Sequence, residues 1–325
     1  MRVVVIGLGS MGKRRIRLIR KYRNTFQILG VDTNEERRKA CEKEYQIDTF
    51  NSLNDAVDAI HIDCAFVCTS PLSHSGITTQ CLEYGLHVFT ELNLVDDGYD
   101  VNILLASQKG LILFISSTFL YREEIREIRT LSKQSDCILN YTYHIGQYLP
   151  DWHPWENYNN FFVSNKRSNG CRELLAIELP WLVDVFGDIT NINVIKSKMS
   201  NLNIDYNDNY LLLIQHKNGH KGTLAVDVVS RKAVRNLEVY GEQLYLHWDG
   251  SPTGLYVYDF EAKKDINIQL YEEIDQLNNY SSFVVENAYL NEIVSFLEAV
   301  TEGKIPAYSF EKDKDILKII DRIEA

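Results

Sequence analysis

Three glycines, in the run Gly7-Leu8-Gly9-Ser10-Met11-Gly12, stand between an apolar stretch, Arg2 to Ile6, and a segment with helical spacing. In a strand-to-helix turn of this spacing the first glycine permits the tight turn and the second lets a phosphate approach the backbone. The third lets helix pack on strand. The helix N-terminus then offers that phosphate free N–H groups and a favourable dipole. A second apolar stretch, Phe26 to Val31, runs into Asp32, twenty residues after Gly12. A carboxylate at that distance accepts hydrogen bonds from the hydroxyls of an adenosine ribose and repels a 2′-phosphate. The implied chemistry is dinucleotide binding. Gly7, Leu8, Gly9, Ser10, Met11 and Gly12 would surround the pyrophosphate, and Asp32 with Thr33 would meet the ribose. NAD is favoured over NADP, a preference that Arg37 and Arg38 temper because arginine suits a 2′-phosphate. The basic run Lys13-Arg14-Arg15 reads as a solvated helix face, or as extra phosphate ligands.

Elements able to position this motif follow from the pattern around it. Short apolar runs at Arg2 to Ile6, Phe26 to Val31, Ala65 to Cys68, His87 to Thr90 and Leu111 to Ile115 alternate with amphipathic segments. This is the pattern of a parallel sheet with crossover helices, buried on both faces. Beyond Tyr121 a helix near Arg122 to Lys133 precedes a strand around Ile138 to His144 and an aromatic loop from Gln147 to Phe162. Strands follow at Tyr206 to His216, Gly222 to Ser230, Asn236 to Tyr240, Gln243 to Trp248 and Leu255 to Phe260, with Asn218-Gly219 predicting a two-residue hairpin turn. Helices at Cys171 to Phe186, Glu286 to Glu302 and Lys312 to Ile323 are expected to cover that sheet. The fold class is α/β: a Rossmann doubly wound parallel sheet over 1–120, then an α+β domain with a largely antiparallel open sheet over 121–325, expected to bind substrate and support oligomerisation.

Composition narrows the partners. A chain of 325 residues, 45% hydrophobic and 24% charged, is long enough for two cores. Its net charge of −11 argues against nucleic acid or an anionic membrane and for a small molecule. Cys41, Cys64, Cys68, Cys81, Cys137 and Cys171 have neither C-x-x-C spacing nor histidine partners, so they read as reduced core thiols and no metal is expected. The first apolar run is too short for a signal peptide or membrane span, and a cytoplasmic protein is expected.

Two further segments, Cys68-Thr69-Ser70-Pro71-Leu72-Ser73-His74 and His87-Val88-Phe89-Thr90-Glu91-Leu92-Asn93-Leu94, together with the glycine motif, resemble the Gfo/Idh/MocA family of oxidoreductases. The resemblance continues through Tyr148-Leu149-Pro150-Asp151-Trp152-His153-Pro154-Trp155 and Gly170 to Gly187. Those stretches look like the substrate loop and long helix of members from surface-polysaccharide pathways, which act on free or nucleotide-linked sugars. The resemblance implies that Thr69, Ser70, Pro71, His74, Glu91 and Leu92 line the nicotinamide half of the cofactor site. It also implies a homo-oligomer, dimer or tetramer, with the second sheet as the oligomer face.

Departures from the family's pattern fall on the groups that handle protons. Leu92 stands where the family has the lysine of Glu-Lys-Pro, Asn93 replaces the proline, and Ile177 stands at the histidine of the long helix. Neither leucine nor isoleucine can carry a proton. Either other groups do the chemistry or it has been lost. Glu173, four residues before Ile177 and on the same helical face, is the first candidate for the missing role. His153 is a candidate base, and Lys166 a candidate for holding a substrate carboxylate or phosphate. Tyr141, Tyr143, Tyr148, Trp152, Trp155 and Tyr158 are either core residues or sugar-stacking rings. The leading reading is an NAD-dependent oxidoreductase moving hydride to or from a sugar or sugar-nucleotide carbon. The alternative is a catalytically impaired family member with a binding or partner-supporting role.

Overall fold

The computed structural model describes residues 1–152, 157–277 and 283–325. The chain forms two compact units, Met1–Ser117 with Tyr289–Leu317 and Thr118–Ala288 with Lys318–Ala325.

The first unit is built on a six-stranded parallel sheet. Its strands are β1 (Arg2–Ile6), β2 (Gln27–Val31), β3 (Asp48–Phe50), β4 (Cys64–Val67), β5 (His87–Thr90) and β6 (Leu113–Ile115), in the spatial order β3-β2-β1-β4-β5-β6. The helices between them are α1 (Ser10–Tyr22), α2 (Glu35–Tyr45), α3 (Leu53–Ala59), α4 (His74–Glu83) and α5 (Tyr99–Lys109). Val3, Val4 and Val5 on β1, and Ala65, Phe66 and Val67 on β4, are fully buried. Such runs suit strands covered on both faces. Strand order reverses between β1 and β4, and the crevice beyond the carboxyl ends of those strands is the ligand position of such sheets. Two of these elements, β3 and α3, are absent from the sequence reading; β3 has three residues and little alternation.

An eight-stranded sheet organises the second unit. It comprises β7 (Asn140–Gly146), β8 (Ile189–Ser197), β9 (Asn209–His216), β10 (Lys221–Asp227), β11 (Val234–Tyr240), β12 (Tyr245–Trp248), β13 (Leu255–Asp259) and β14 (Lys264–Asn267). All neighbouring pairs are antiparallel except β7 with β10. One face of β9 alternates Tyr210, Leu212 and Ile214 into the core, against α7 (Gly170–Phe186), which in turn packs on α6 (Glu123–Gln134). The β9–β10 turn holds three residues rather than the expected two, because His216 and His220 still pair through a 2.9 Å backbone bond and Lys217, Asn218 and Gly219 close the loop.

Two helices complete the chain, α8 (Glu286–Glu302) and α9 (Phe310–Glu324). The expectation that both cover the antiparallel sheet is corrected: from Tyr289 to Leu317 they belong to the first unit. Phe296 of α8 meets the rings of Phe66, Phe89 and Phe114 at 5.3, 5.7 and 5.7 Å. An amphipathic pattern states that a helix has an apolar face, not which sheet covers it. Among the described residues no helix is long and apolar enough to cross a membrane.

Candidate functional site

The cofactor half grows from β1. Gly7 has φ +92°, and a Cβ there would lie 2.7 Å from the Cys68 carbonyl oxygen. A Cβ on Gly12 would stand 1.9 Å from the Gly7 oxygen. Both positions are closed to side chains by the protein itself. Gly9 differs, since among the described residues no atom lies within 4 Å of its Cβ position. It also caps α1 with no side-chain hydrogen bond and no acidic residue in the first turn. The helix N-terminus is thus free to meet an anion, and the open space over Gly9 is where a pyrophosphate would approach.

Asp32 is buried at the end of β2, held by backbone donors at both oxygens: Leu8 N to Oδ2 and Asn34 N to Oδ1, each 2.8 Å. Each oxygen keeps lone-pair capacity for a ribose hydroxyl. Thr33 beside it is exposed. Arg37 approaches Asp32 Oδ2 at 3.8 Å, and Arg38 donates to the Asp32 carbonyl at 2.7 Å. These groups fit a bound dinucleotide.

The basic run is not a solvated face. Arg14 and Arg15 are buried, and Lys13 pairs with Glu44 at 3.1 Å. Arg15 holds Glu91 by two bonds, 2.5 Å to Oε1 and 3.0 Å to Oε2, and reaches Glu292 of α8 at 2.7 Å. Glu292 Oε1 accepts from Ser117 N at 2.7 Å. Burial pushes the Glu292 carboxyl up despite the guanidinium beside it. Glu91 is thereby anchored from below, and its loop carries Leu92, half-buried and without proton capacity.

Thr69, Pro71, His74 and Asn93 come together where the loops after β4 and β5 meet. His74 Nε2 lies 2.9 Å from the Thr69 carbonyl, and Nδ1 lies 2.6 Å from the Asn93 side-chain amide. Burial holds this imidazole below its ordinary pKa, against the pull of its two hydrogen bonds, to the Asn93 side-chain oxygen and to the Thr69 carbonyl. His74 is a strut between two loops, with Asn93 supplying its other partner. Ser70 is exposed, and Ser73 Oγ closes the turn on Thr69 Oγ1 at 2.9 Å.

In the second unit the long helix α7 starts from Asn169, whose side chain accepts from Arg172 N at 2.8 Å. Glu173 lies in the first turn. The residue as a whole is partly exposed, but Oε2 is buried and has no hydrogen-bond partner among the described residues. Burial pushes this carboxyl up to about 8. A group that exchanges its proton near neutrality suits acid–base work. Ile177 is half-buried on the same face.

The other candidates separate. His153 and Trp155 lie outside the described residues. Lys166 is exposed and lines a cleft of about 350 Å³ with Lys198, Tyr206, Tyr210 and Glu324. Tyr141 and Tyr143 are core residues, packed on Phe186 and Trp181 at 4.4 and 5.4 Å. Tyr148 lies beneath Arg231, and Tyr158 accepts from Asn203 N at 3.1 Å. Sequence reasoning missed Glu292 as the partner of Arg15, and no local signal points to it.

Comparison with known proteins extends this geometry. Residues 1–109 match the family model GFO_IDH_MocA, described as an oxidoreductase family with an NAD-binding Rossmann fold. Biliverdin reductase A of Mus musculus is 30% identical over 131 residues, 39% of this chain and 43% of that protein, so the match spans less than half of its length. Among solved structures, GenD2 from gentamicin A biosynthesis, in complex with NAD, has a TM-score of 0.79 at 16% identity, covering 100% of this chain and 94% of the other. The UDP-N-acetylglucosamine 3-dehydrogenase GnnA from Acidithiobacillus ferrooxidans has a TM-score of 0.77 at 18% identity, covering 100% and 96%. Residues 1–109 are thus similar to an oxidoreductase family with an NAD-binding Rossmann fold, and the whole chain has the two-domain fold of these solved structures.

Proposed function

We propose that the protein is an NAD(H)-dependent oxidoreductase of a sugar or sugar-nucleotide, with Glu173 as its proton-handling group. The observation that carries this reading is the buried Oε2 of Glu173, without a partner among the described residues, with its carboxyl pushed up to about 8. Oxidation of a secondary alcohol removes a hydride from carbon and a proton from oxygen. The nicotinamide, when bound, supplies the hydride acceptor. Ionised Glu173 takes the hydroxyl proton, and in the reverse direction the protonated form returns it. Ile177, on the same helical face, contributes apolar surface beside the carboxyl, and burial favours its protonated form. Asp32 favours NAD(H), with Arg37 the residue placed to admit NADP(H). GnnA, a sugar-nucleotide dehydrogenase by name, has this two-domain fold and supports the substrate class.

A second reading has one observation in its favour. The mouse relative is a biliverdin reductase by name, and a reduction in which no alcohol takes part needs no base for an alcohol proton, which agrees with the missing lysine and histidine. Titration with NADH and NADPH, followed by turnover assays on UDP-N-acetylglucosamine with NAD and on biliverdin with NADH, separates the readings. Turnover of the sugar nucleotide that Glu173→Gln abolishes with NADH binding intact is the expected outcome. Turnover of biliverdin alone favours the second reading. Cofactor binding without turnover of either favours an impaired, partner-supporting protein.

A further inference from the structure

Most buried arginines of this protein are tied to carboxylates: Arg15 to Glu91 and Glu292, Arg122 to Glu124, Arg172 to Asp321 and Glu324, Arg235 to Glu178. Arg231, an exposed residue, is placed differently. Its Cζ lies 3.6 Å from the centroid of the Tyr148 ring, in van der Waals contact with the ring face, and among the described residues no carboxylate pairs with it. This holds in a chain with 45 acidic residues against 34 lysines and arginines. A guanidinium laid on an aromatic ring loses side-chain freedom but keeps its N–H edge, the edge that matches a carboxylate or phosphate in two-pronged fashion.

The backbone behind Arg231 is fixed. Asp227 Oδ1 accepts from Val229 N at 2.9 Å and Ser230 N at 2.7 Å, while Oδ2 accepts from Ser230 Oγ at 3.0 Å and lies 2.8 Å from His144 Nε2. Tyr148 is tied to the same segment, because Gln147 N donates to the Asp227 carbonyl and Leu149 N to that of Val228, at 3.2 and 2.9 Å. This pair of segments packs on the first turn of α7. A Cβ on Gly170 would meet Val228, Leu149 and Trp152 at 3.0 to 3.3 Å. Glu173 is three residues further along that helical face, about 4.5 Å along the axis.

We propose that Arg231, held on Tyr148, recognises an anionic group on the substrate, a carboxylate or a phosphate, and so restricts the substrate to acidic, phosphorylated or nucleotide-linked sugars. The proposal rests on Glu173 marking the reaction centre of the second unit. A neutral sugar leaves the guanidinium without a counter-charge among the described residues. An anionic one gains a charge-assisted, two-pronged contact whose geometry is set before binding.

The test is calorimetric titration of the full chain, saturated with NADH, with glucuronate, glucose 6-phosphate, UDP-N-acetylglucosamine and glucose, on wild type and on Arg231→Gln and Arg231→Lys. At least one anionic ligand is expected to bind tenfold or more tighter than glucose. Arg231→Gln should erase that margin without changing NADH affinity, and Arg231→Lys should restore only part of it. Which anionic ligand carries the margin identifies carboxylate, monophosphate or diphosphate as the recognised group. No anionic ligand exceeding glucose, or a margin that survives Arg231→Gln, overturns the proposal. Failure of NADH to bind, or unchanged turnover in Glu173→Gln, would instead count against the oxidoreductase reading and leave the anion result to be judged on its own.

Discussion

Glu173 and Glu178 stand five residues apart on α7, and the protein surrounds them in opposite ways. Both Glu178 oxygens are spent: Oε1 accepts from Arg235 Nε and Nη2 at 2.8 and 2.6 Å, and Oε2 from Tyr143 Oη at 2.8 Å and Trp181 Nε1 at 2.6 Å. Glu173 Oε2 is buried with no partner among the described residues. A satisfied buried carboxylate is part of the architecture. An unsatisfied one costs free energy and persists where a ligand or a proton completes it. Burial alone therefore does not mark a functional acid on this helix; unmet bonding capacity does.

The sharpest way to break that comparison is to neutralise the satisfied member. Glu178→Gln keeps the shape but strands Arg235, whose side chain is 11% exposed, without a counter-charge. Removing one partner of a buried pair costs about 3–5 kcal/mol. Urea denaturation is expected to show a loss of that size. A loss below about 1 kcal/mol would mean that Arg235 finds water and that Glu178 is not architectural.

Neutralising the other member should act on rate instead. Glu173→Gln is expected to lower kcat by about 100-fold or more, the contribution of a positioned acid or base. Stability should not fall, since no hydrogen bond to Oε2 is lost. The pH dependence separates the two acids further. Between about 4.5 and 8 the folded Glu173 keeps a proton that the unfolded chain has released, so its contribution weakens the fold as pH rises through that window. Wild type should therefore lose more stability than Glu173→Gln between pH 5 and pH 8. Parallel stability curves for the two proteins would remove Glu173 from the proton-handling role.

What the sequence discloses follows the range of each interaction. The glycine cradle and Asp32 are legible because their spacing is local and each position is dictated by backbone geometry. The strands β8 and β14 escape because Ile189–Ser197 is rich in asparagine and Lys264–Asn267 is short and charged, so neither shows the apolar runs of the first sheet. Arg15 looks like one member of a solvated basic run until Glu292, 277 residues away, is brought onto it. No pattern within α1 announces that partner. Glu173 is legible as a position on a helical face, but its unmet oxygen depends on packing from several elements. The pairing of His74 with Asn93 belongs to the same class, a contact between two loops that are adjacent only because β4 and β5 are.

The same contrast between met and unmet space recurs at the first unit, where it predicts a smaller effect. Gly12 is closed by the protein, while Gly9 faces a volume with no atom of the described residues within 4 Å of its Cβ position. Gly9 has φ −76°, which any L-residue adopts, so the fold asks nothing special of it. Gly9→Ala should therefore fold with a denaturation midpoint near that of wild type. If the open volume is where the pyrophosphate approaches the helix N-terminus, the added methyl group holds the phosphates away from the α1 N–H groups and NADH affinity should fall about tenfold, near 1.4 kcal/mol. Calorimetric titration measures this directly. Undiminished NADH affinity in a well-folded Gly9→Ala variant would mean that the space over Gly9 is not the cofactor's, and that this glycine, unlike Gly7 and Gly12, has no assigned task.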